Sequence, residues 1–170
     1  MALSSPVGSS ARAVVRVDGP AAWELAGRCF DPAPQDPRRL VSGALQVPGW
    51  PAAPAQALAF RGPRSYTGQD LVELWIPGSP PLIEALLSAL QGAGARLADR
   101  GEFTRRAFHA GRVDLVQVEA VLALTAAATA EETRGALRAL EGGVGRRVEA
   151  SKQVLLEVLA HVEAAIDFSD

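Results

Sequence analysis

The hydrophobic pattern of this chain changes once, near residue 100, and that change limits the folds it can adopt. Before residue 100, short apolar runs such as RAVVRV at 12–17 alternate with helical stretches and with Gly and Pro clusters. From Glu102 onward, apolar residues recur every three to four positions, as they do along a helix face. The pattern predicts the α+β class. Charge changes from net +2 over residues 101–112 to net −5 over residues 113–170, which places the boundary between an α/β domain over residues 1–112 and the first helices of a helical domain over residues 113–170.

Strand and helix signals alternate within the first hundred residues. The predicted strands span 12–17, 40–47, 56–60, 71–76 and a short final run at 95–98, and the predicted helices run through Trp23–Cys29 and Leu82–Leu90. In the helical part, Gly142 and Gly143 are expected to kink or break the chain. Residues 113–170 carry a clear apolar stripe but offer few packing partners. Either these helices fold back on the α/β domain, or they pair with another chain, or they are part of a larger bundle, and we expect a partial helical bundle.

Composition excludes several classes of function. The 170 residues have a net charge of −2, so the charge of the whole chain gives no argument for nucleic acid. Cys29 is the single cysteine, which excludes an intramolecular disulfide and is interpreted as a small buried apolar residue in a reducing, cytoplasmic protein. We find no apolar run of membrane-spanning length, and the two histidines, His109 and His161, lack metal-ligand spacing.

Glu73 is the most unusual charged residue of the predicted sheet, because it lies inside the apolar strand LVELWI. A carboxylate buried in such a run is costly unless a cation pairs with it. Arg16, near the end of the first predicted strand, is a candidate partner that would also shape a site. The alternative is that Glu73 faces solvent on an edge strand, since strand residues alternate.

Two strings interleave glycine, aromatic, charged and apolar residues in an order that packing alone would not demand. In SYTGQD, at 65–70, Thr67-Gly68 suits a tight turn and Asp70 suits a loop-capping role. In RGEFTRRAFHAGR, at 100–112, arginines alternate with phenylalanines, which suits phosphate or a stacked ring. The alternative is a short amphipathic helix with Phe103, Ala107 and Phe108 in the core and its arginines in water.

These strings resemble the tRNA-modification GTPases of the MnmE (TrmE) family. The likeness is strongest in SYTGQDLVEL and in GEFTRRAF with the following VDLVQVEAV, and it returns in AHVEAAIDFSD at the end. It implies an N-terminal domain similar to the tetrahydrofolate-binding domain of glycine-cleavage aminomethyltransferase, which dimerises and binds 5-formyl- or 5,10-methylene-tetrahydrofolate. The helical domain that follows is interrupted, in that family, by a GTPase domain.

The resemblance also implies a function and a site. With an FAD-dependent partner protein, the full-length family uses folate carbon to modify carbon 5 of the wobble uridine in tRNA. The family's folate contacts fall on Arg16, Glu73 and Arg112, the last of which is usually lysine. GTP, magnesium and potassium belong to the GTPase domain, and these 170 residues contain no GxxxxGK[ST] motif. We therefore expect no GTP hydrolysis by the chain alone and assign no catalytic or metal residue.

Two departures from the family pattern leave alternatives open. The family's glycine-rich loop is replaced by PVGSSAR at 6–12, and its HGG turn by WIPGSPP at 75–81. The chain is expected to be the N-terminal portion of a longer enzyme. It could instead be a stand-alone scaffold or interaction protein without ligand binding, or a small folate-dependent one-carbon transferase.

Overall fold

The computed structural model describes residues 1–6 and 8–167 and divides the chain into two compact units, 1–112 and 113–170. An antiparallel sheet with helices, followed by a helical segment, confirms the predicted α+β class. Parts of three motifs from the sequence analysis lie outside the described residues. They are Val7 in the 6–12 loop, residues 168–170 at the end of AHVEAAIDFSD, and the side chain of Val144 in the apolar stripe.

The first unit contains one antiparallel sheet with the strand order β1-β2-β6-β5-β4-β3. Its strands are β1 Ala2–Leu3, β2 Ser10–Asp18, β3 Phe30–Asp31, β4 Leu40–Leu45, β5 Ala53–Phe60 and β6 Leu71–Gly78. The predicted strands at 12–17, 40–47, 56–60 and 71–76 correspond to β2, β4, β5 and β6. Because β6 pairs with both β2 and β5, it is a central strand.

Three helices accompany the sheet, and three more make up the described part of the second unit. They are α1 Ala22–Cys29, α2 Pro80–Gly92 and α3 Glu102–His109, then α4 Leu115–Ala126, α5 Ala130–Leu140 and α6 Gly143–Asp167. Asp114 and Thr129 begin α4 and α5 with capping boxes, in which their side chains accept backbone N–H groups. Gly142 adopts φ +70° between α5 and α6, so the predicted glycine break is confirmed.

The sheet is covered by helices on one face. Alternate residues such as Val15 and Leu74 are fully buried and pack in one core with Leu86 and Leu90 of α2 and with residues of α1. The residues between them are only partly buried. We call this second side the open face, defined by Val14, Arg16, Gln56, Leu58, Glu73 and Trp75.

Both outer strands are only two residues long. Ala2 and Leu3 pair with Arg16 and Val15 of β2. Beyond them, the Ser4 N–H donates to the Val14 carbonyl at 2.7 Å, and the Val14 N–H donates to Ser5 Oγ at 3.2 Å. At the other side, Phe30–Asp31 pairs with the end of β4.

The predicted strand at 95–98 is wrong, because this segment forms no ladder. Gly94 turns the chain at φ +99°, and the Ala95 N–H still bonds back to Leu90 of α2. The segment is otherwise joined by its backbone to Met1, whose carbonyl accepts from the Ala98 N–H and whose amino group donates to the Arg96 carbonyl, each at 2.8 Å. The edge position beside β2 belongs to β1 instead. A second difference is that β6 continues through Gly78, where the sequence suggested a turn.

Close packing against β2 explains why position 78 is a glycine, and the sequence alone did not reveal it. Ser10 pairs with it across the β2–β6 ladder, beside an irregularity in register. A Cβ at position 78 would lie 2.4 Å from the Ser10 carbonyl oxygen, so only glycine fits without a backbone shift. The two loops that depart from the family pattern therefore meet each other at this point.

In the second unit, α4 and α5 pack together and α6 extends as a 25-residue helix. Large apolar side chains along α6 are about half or more exposed within the unit, among them Leu155, Val158, Leu159 and Val162. This arrangement agrees with the expected partial bundle, in which the described residues do not bury the whole apolar stripe.

A buried acid fixes α3 within the first unit. The Glu102 side chain is 2% exposed, and its carboxylate accepts hydrogen bonds from Arg96, from Arg106 and from the Asp99 N–H. Arg106 also donates to Asp18 of β2, with 2.6 Å between Nη1 and Oδ1. The hydrogen bonds from Arg96 and from the Asp99 backbone, with those from Arg106, hold the pKa of Glu102 well below its usual range.

We expect Glu102→Gln to destabilise the first unit by about 2–3 kcal/mol, because two guanidinium groups lose a charged acceptor at a buried position. The free energy of unfolding in urea measures this. Glu24→Gln is the matched control, since Glu24 pairs with Arg28 on an exposed helix surface and should change stability by at most about 0.5 kcal/mol. Equal effects of the two substitutions would contradict the role assigned to Glu102.

The same carboxylate predicts a pH dependence. Because the pKa of Glu102 is lower in the folded chain than in the unfolded one, its contribution is complete above about pH 4.3 and is lost as pH falls through the folded value. Below about pH 4.5, the free energy of unfolding should therefore fall more steeply for the native chain than for Glu102→Gln. Parallel curves for the two proteins would argue against this origin.

Candidate functional site

Arg16 and Glu73 meet on the open face of the sheet. They are cross-strand partners in the β2–β6 ladder, and Arg16 Nε donates to Glu73 Oε1 at 2.7 Å. The Glu73 side chain is 14% exposed and that of Arg16 is 39% exposed. The structure therefore brings together two of the three residues that the resemblance assigns to the ligand. The edge-strand alternative for Glu73 is wrong, since β6 is central.

The Arg16–Glu73 pair can form further hydrogen bonds with a ligand. Trp75 Nε1 donates to Glu73 Oε2 at 3.3 Å, so each carboxylate oxygen accepts one bond among the described residues. A carboxylate offers about four acceptor positions, which leaves about two for a ligand. The terminal nitrogens of Arg16 make no hydrogen bond within the described parts of the chain. The arrangement can therefore bind a planar group that donates two N–H bonds and also accepts from a guanidinium.

The SYTGQD loop is ordered by its own side chains. Gly68 adopts φ +80°, as the predicted tight turn requires. The Ser65 hydroxyl donates to the Gln69 carbonyl, and the buried Thr67 hydroxyl donates to the buried Asp18 carboxylate. Asp70 accepts from the Gly62 N–H at 2.9 Å and from Arg61, so its predicted loop-capping role is confirmed.

Arg112 lies beside this loop and not in the Arg16–Glu73 pair. Its backbone N–H bonds to the Ala107 carbonyl just after α3, and a Cβ placed on Gly68 would be 4.0 Å from Arg112 Cγ. The side chain is exposed and forms no ion pair among the described residues. Arg112 therefore presents a free guanidinium next to the SYTGQD turn.

The RGEFTRRAF segment agrees only in part with the amphipathic-helix alternative, and its arginines do not all remain available for phosphate or a stacked ring. Ala107 is buried and Arg105 is exposed, as the amphipathic-helix alternative expects. Phe108 is 41% exposed, so its placement in the core is wrong. Arg106 is not a solvated arginine either, because it bridges Glu102 and Asp18.

Sequence reasoning missed the buried acids Asp18 and Glu102, which organise this end of the sheet. The Glu102–Arg106 spacing of four residues was a readable helix signal. Asp18 carried no such signal, because its partners Thr67 and Arg106 are distant in sequence.

Neither a membrane span nor a metal cluster is found among the described residues. No helix there has the length and apolar character to cross a bilayer. His109 and His161 are exposed, and no group of three metal-ligating side chains comes together in residues 1–6 and 8–167.

Thr67→Val should destabilise the first unit by about 1–2 kcal/mol, because the shape is kept while the buried Asp18 carboxylate loses a donor. Urea unfolding measures the change. Thr104→Val is the control: its hydroxyl contacts Tyr66 Oη at 3.2 Å in an exposed position, and its loss should cost at most about 0.5 kcal/mol. A neutral Thr67→Val would show that the loop does not depend on this bond.

Comparison with known proteins agrees with these features. Residues 1–112 match the family model of the GTP-binding protein TrmE N-terminus, and residues 115–170 match the MnmE helical domain. A tRNA modification GTPase MnmE of Thermus thermophilus is 46% identical over 176 residues, covering 99% of this chain and 40% of that protein. The MnmE proteins of Caulobacter vibrioides and Aquifex aeolicus are 43% and 37% identical, covering 99% and 100% of this chain and 38% of each relative.

The chain thus spans about two fifths of the length of the curated relatives it matches. Two adjacent family models account for nearly all of it, and the resemblance drawn from its motifs is confirmed. The chain belongs to the MnmE (TrmE) family of tRNA modification GTPases and corresponds to their N-terminal region.

Proposed function

We propose that this chain is the folate-binding and dimerising portion of an enzyme that modifies carbon 5 of the wobble uridine in tRNA. The bound folate, 5-formyl- or 5,10-methylene-tetrahydrofolate, is the one-carbon donor. The observation that carries the proposal is the half-buried Arg16–Glu73 pair on the open face of the sheet. A GTPase domain, an FAD-dependent partner protein and tRNA complete the reaction, in the cytoplasm.

The chemistry of a reduced pterin suits this pair. A pterin presents adjacent N–H donors, which a carboxylate binds with two parallel hydrogen bonds. Glu73 has acceptor capacity for them, and Arg16 holds the carboxylate in place through Nε, while its terminal nitrogens make no hydrogen bond within the described residues. Low exposure of Glu73 strengthens these bonds, because fewer water molecules compete for the carboxylate.

Arg112 is the third proposed contact. It is a free guanidinium beside the Gly68 turn, on the side of the site where α3 ends. The side chain would approach the ligand from that loop. An arginine in place of lysine keeps the positive charge and adds a planar, forked donor.

Dimerisation is proposed through the apolar residues of the open face, so that the ligand at Arg16 and Glu73 lies beside the second copy and is not displaced by it. Val14, Leu58 and Trp75 are partly buried there, on the side of the sheet that faces away from α1 and α2. An apolar sheet surface without a second layer is stabilised when another copy covers it. We expect sedimentation equilibrium of the purified chain to give twice the monomer mass of 17.8 kDa, whereas a monomer at every concentration would contradict this.

A second candidate is a scaffold without ligand binding. It is favoured by one observation: both Glu73 oxygens already have a protein donor, from Arg16 and from Trp75. A carboxylate satisfied within the chain has less to gain from a ligand. The two candidates differ in whether a folded chain binds folate.

Titration calorimetry with 5-formyltetrahydrofolate tests the proposal. We expect micromolar binding to the native chain and a loss of at least about 10-fold in Glu73→Ala, because the bonds of a charged acceptor are removed. Glu84→Ala is the matched control, since Glu84 is an exposed acid on α2, and its affinity should equal that of the native chain. Absence of binding by the folded native chain would favour the scaffold instead.

A further inference from the structure

Four arginines lie at one end of the sheet, in the two loops that adjoin β4 and β5. We call them the arginine end: Arg38, Arg39, Arg61 and Arg64. The loops are neighbours, because β4 begins at Leu40 and β5 ends at Phe60 in one antiparallel ladder. Segments 36–39 and 61–70 together carry a net charge of +2, whereas the whole chain carries −2. The arginine end is therefore a local positive surface on a chain that is acidic overall.

Arg38 holds the two loops together. Its N–H donates to the Ala59 carbonyl at 2.7 Å, and its Nη2 donates to the Arg64 carbonyl at 3.2 Å. The backbone of Arg38 has φ +62°, in the left-handed region that residues with a Cβ seldom adopt. Strain of this kind is concentrated at sites that bind ligands. Here it places one cation against the backbone of another, where an acid would be the more favourable neighbour.

The other two arginines are held by contacts that leave much of the positive charge exposed. Arg61 Nη1 donates to Asp70 Oδ2 at 2.6 Å, and its guanidinium lies over the Trp23 ring, 3.8 Å from the centroid. Arg39 lies 3.5 Å from Asp36 on an exposed surface, where an ion pair contributes little. Both side chains are ordered by these contacts while more than half of each remains exposed to solvent.

Arg38 and Arg64 are the two cations that no acid neutralises. Both are exposed, and within the described residues neither has a carboxylate at salt-bridge distance. Neighbouring like charges repel each other, and an anion bound between them removes the repulsion. Guanidinium groups bind phosphate through paired N–H donors, so adjacent arginines suit successive phosphates of one nucleic-acid backbone.

We propose that the arginine end binds the phosphate backbone of tRNA, with Arg38 and Arg64 as its main contacts. The inference rests on the proposed function, which makes tRNA the substrate, and it names the surface of this chain that the tRNA meets. That surface shares no residue with the open face, so tRNA and folate bind at separate places. Contacts to phosphate position an RNA without reading its sequence.

Fluorescence anisotropy of a labelled tRNA transcript whose anticodon begins with uridine tests the assignment. The variant combines Arg38→Asn with Arg64→Ala, since asparagine tolerates the left-handed backbone at position 38. We expect it to bind at least about 10-fold more weakly than the native chain at about 50 mM salt. The slope of log affinity against log salt concentration should become shallower by about 1.5, because two phosphate contacts are lost.

The matched control combines Arg134→Ala with Arg138→Ala on α5. These arginines are exposed, and Arg138 Nε donates to the Arg134 carbonyl at 3.3 Å, so the control removes the same charge from a similar pair. Its affinity for tRNA and its salt slope should equal those of the native chain. Urea unfolding shows that both variants are folded, and both should bind 5-formyltetrahydrofolate as the native chain does.

Three results would overturn the inference. Equal losses in the two double variants would show that tRNA responds to total charge and not to the arginine end. Weaker binding with an unchanged salt slope would exclude phosphate as the group that Arg38 and Arg64 bind. Absence of tRNA binding by the folded native chain would point to an acidic protein surface as the partner instead. In that case, folate binding that depends on Glu73 would leave the folate part of the proposed function intact, because the two ligands are measured separately.

Discussion

The bridge from Glu102 through Arg106 to Asp18 is the interaction on which the rest of the first unit depends. It joins α3 to the end of β2, and the Thr67 hydroxyl adds the SYTGQD loop to the same carboxylate. Because Gly68 lies against Ala110 and Arg112, the position of the free guanidinium follows from this bridge. Charges that make no contact with the proposed ligand therefore determine the geometry around it.

The site combines two kinds of polar group at different levels of burial. Glu73 is held firmly by a short bond and by its place on a central strand, whereas Arg112 is exposed and has no ion pair within the described residues. A rigid acceptor near an adaptable cation is suited to a ligand with a rigid end and a flexible anionic end. The helices on the opposite side of the sheet keep the strand register, and hence the Arg16–Glu73 distance, fixed.

Local patterns were sufficient to predict the α+β class, four of the strands, the helices Trp23–Cys29 and Leu82–Leu90, and the break at Gly142. The Arg16–Glu73 pair was one of two interpretations of LVELWI, because the sequence also allowed a solvent-facing Glu73 on an edge strand, and the family resemblance singled out the pair. The false strand at 95–98 and the missing β1 show the limit, because a two-residue ladder is too short to leave an alternating pattern in the sequence. Asp18 could not be identified, because its partners Thr67 and Arg106 are 49 and 88 residues away.

The short edges of the sheet have a consequence for how copies of this chain can associate. An unpaired strand edge is a template for adding a strand from another molecule, which leads to fibres and aggregates. Here β1 and β3 offer two residues each, and Ser4 with the Ser5 hydroxyl occupies the next backbone groups of β2. Strand addition therefore has little free edge beside residues 14–16 of β2, which favours the dimer proposed above, in which face-to-face association closes after two copies.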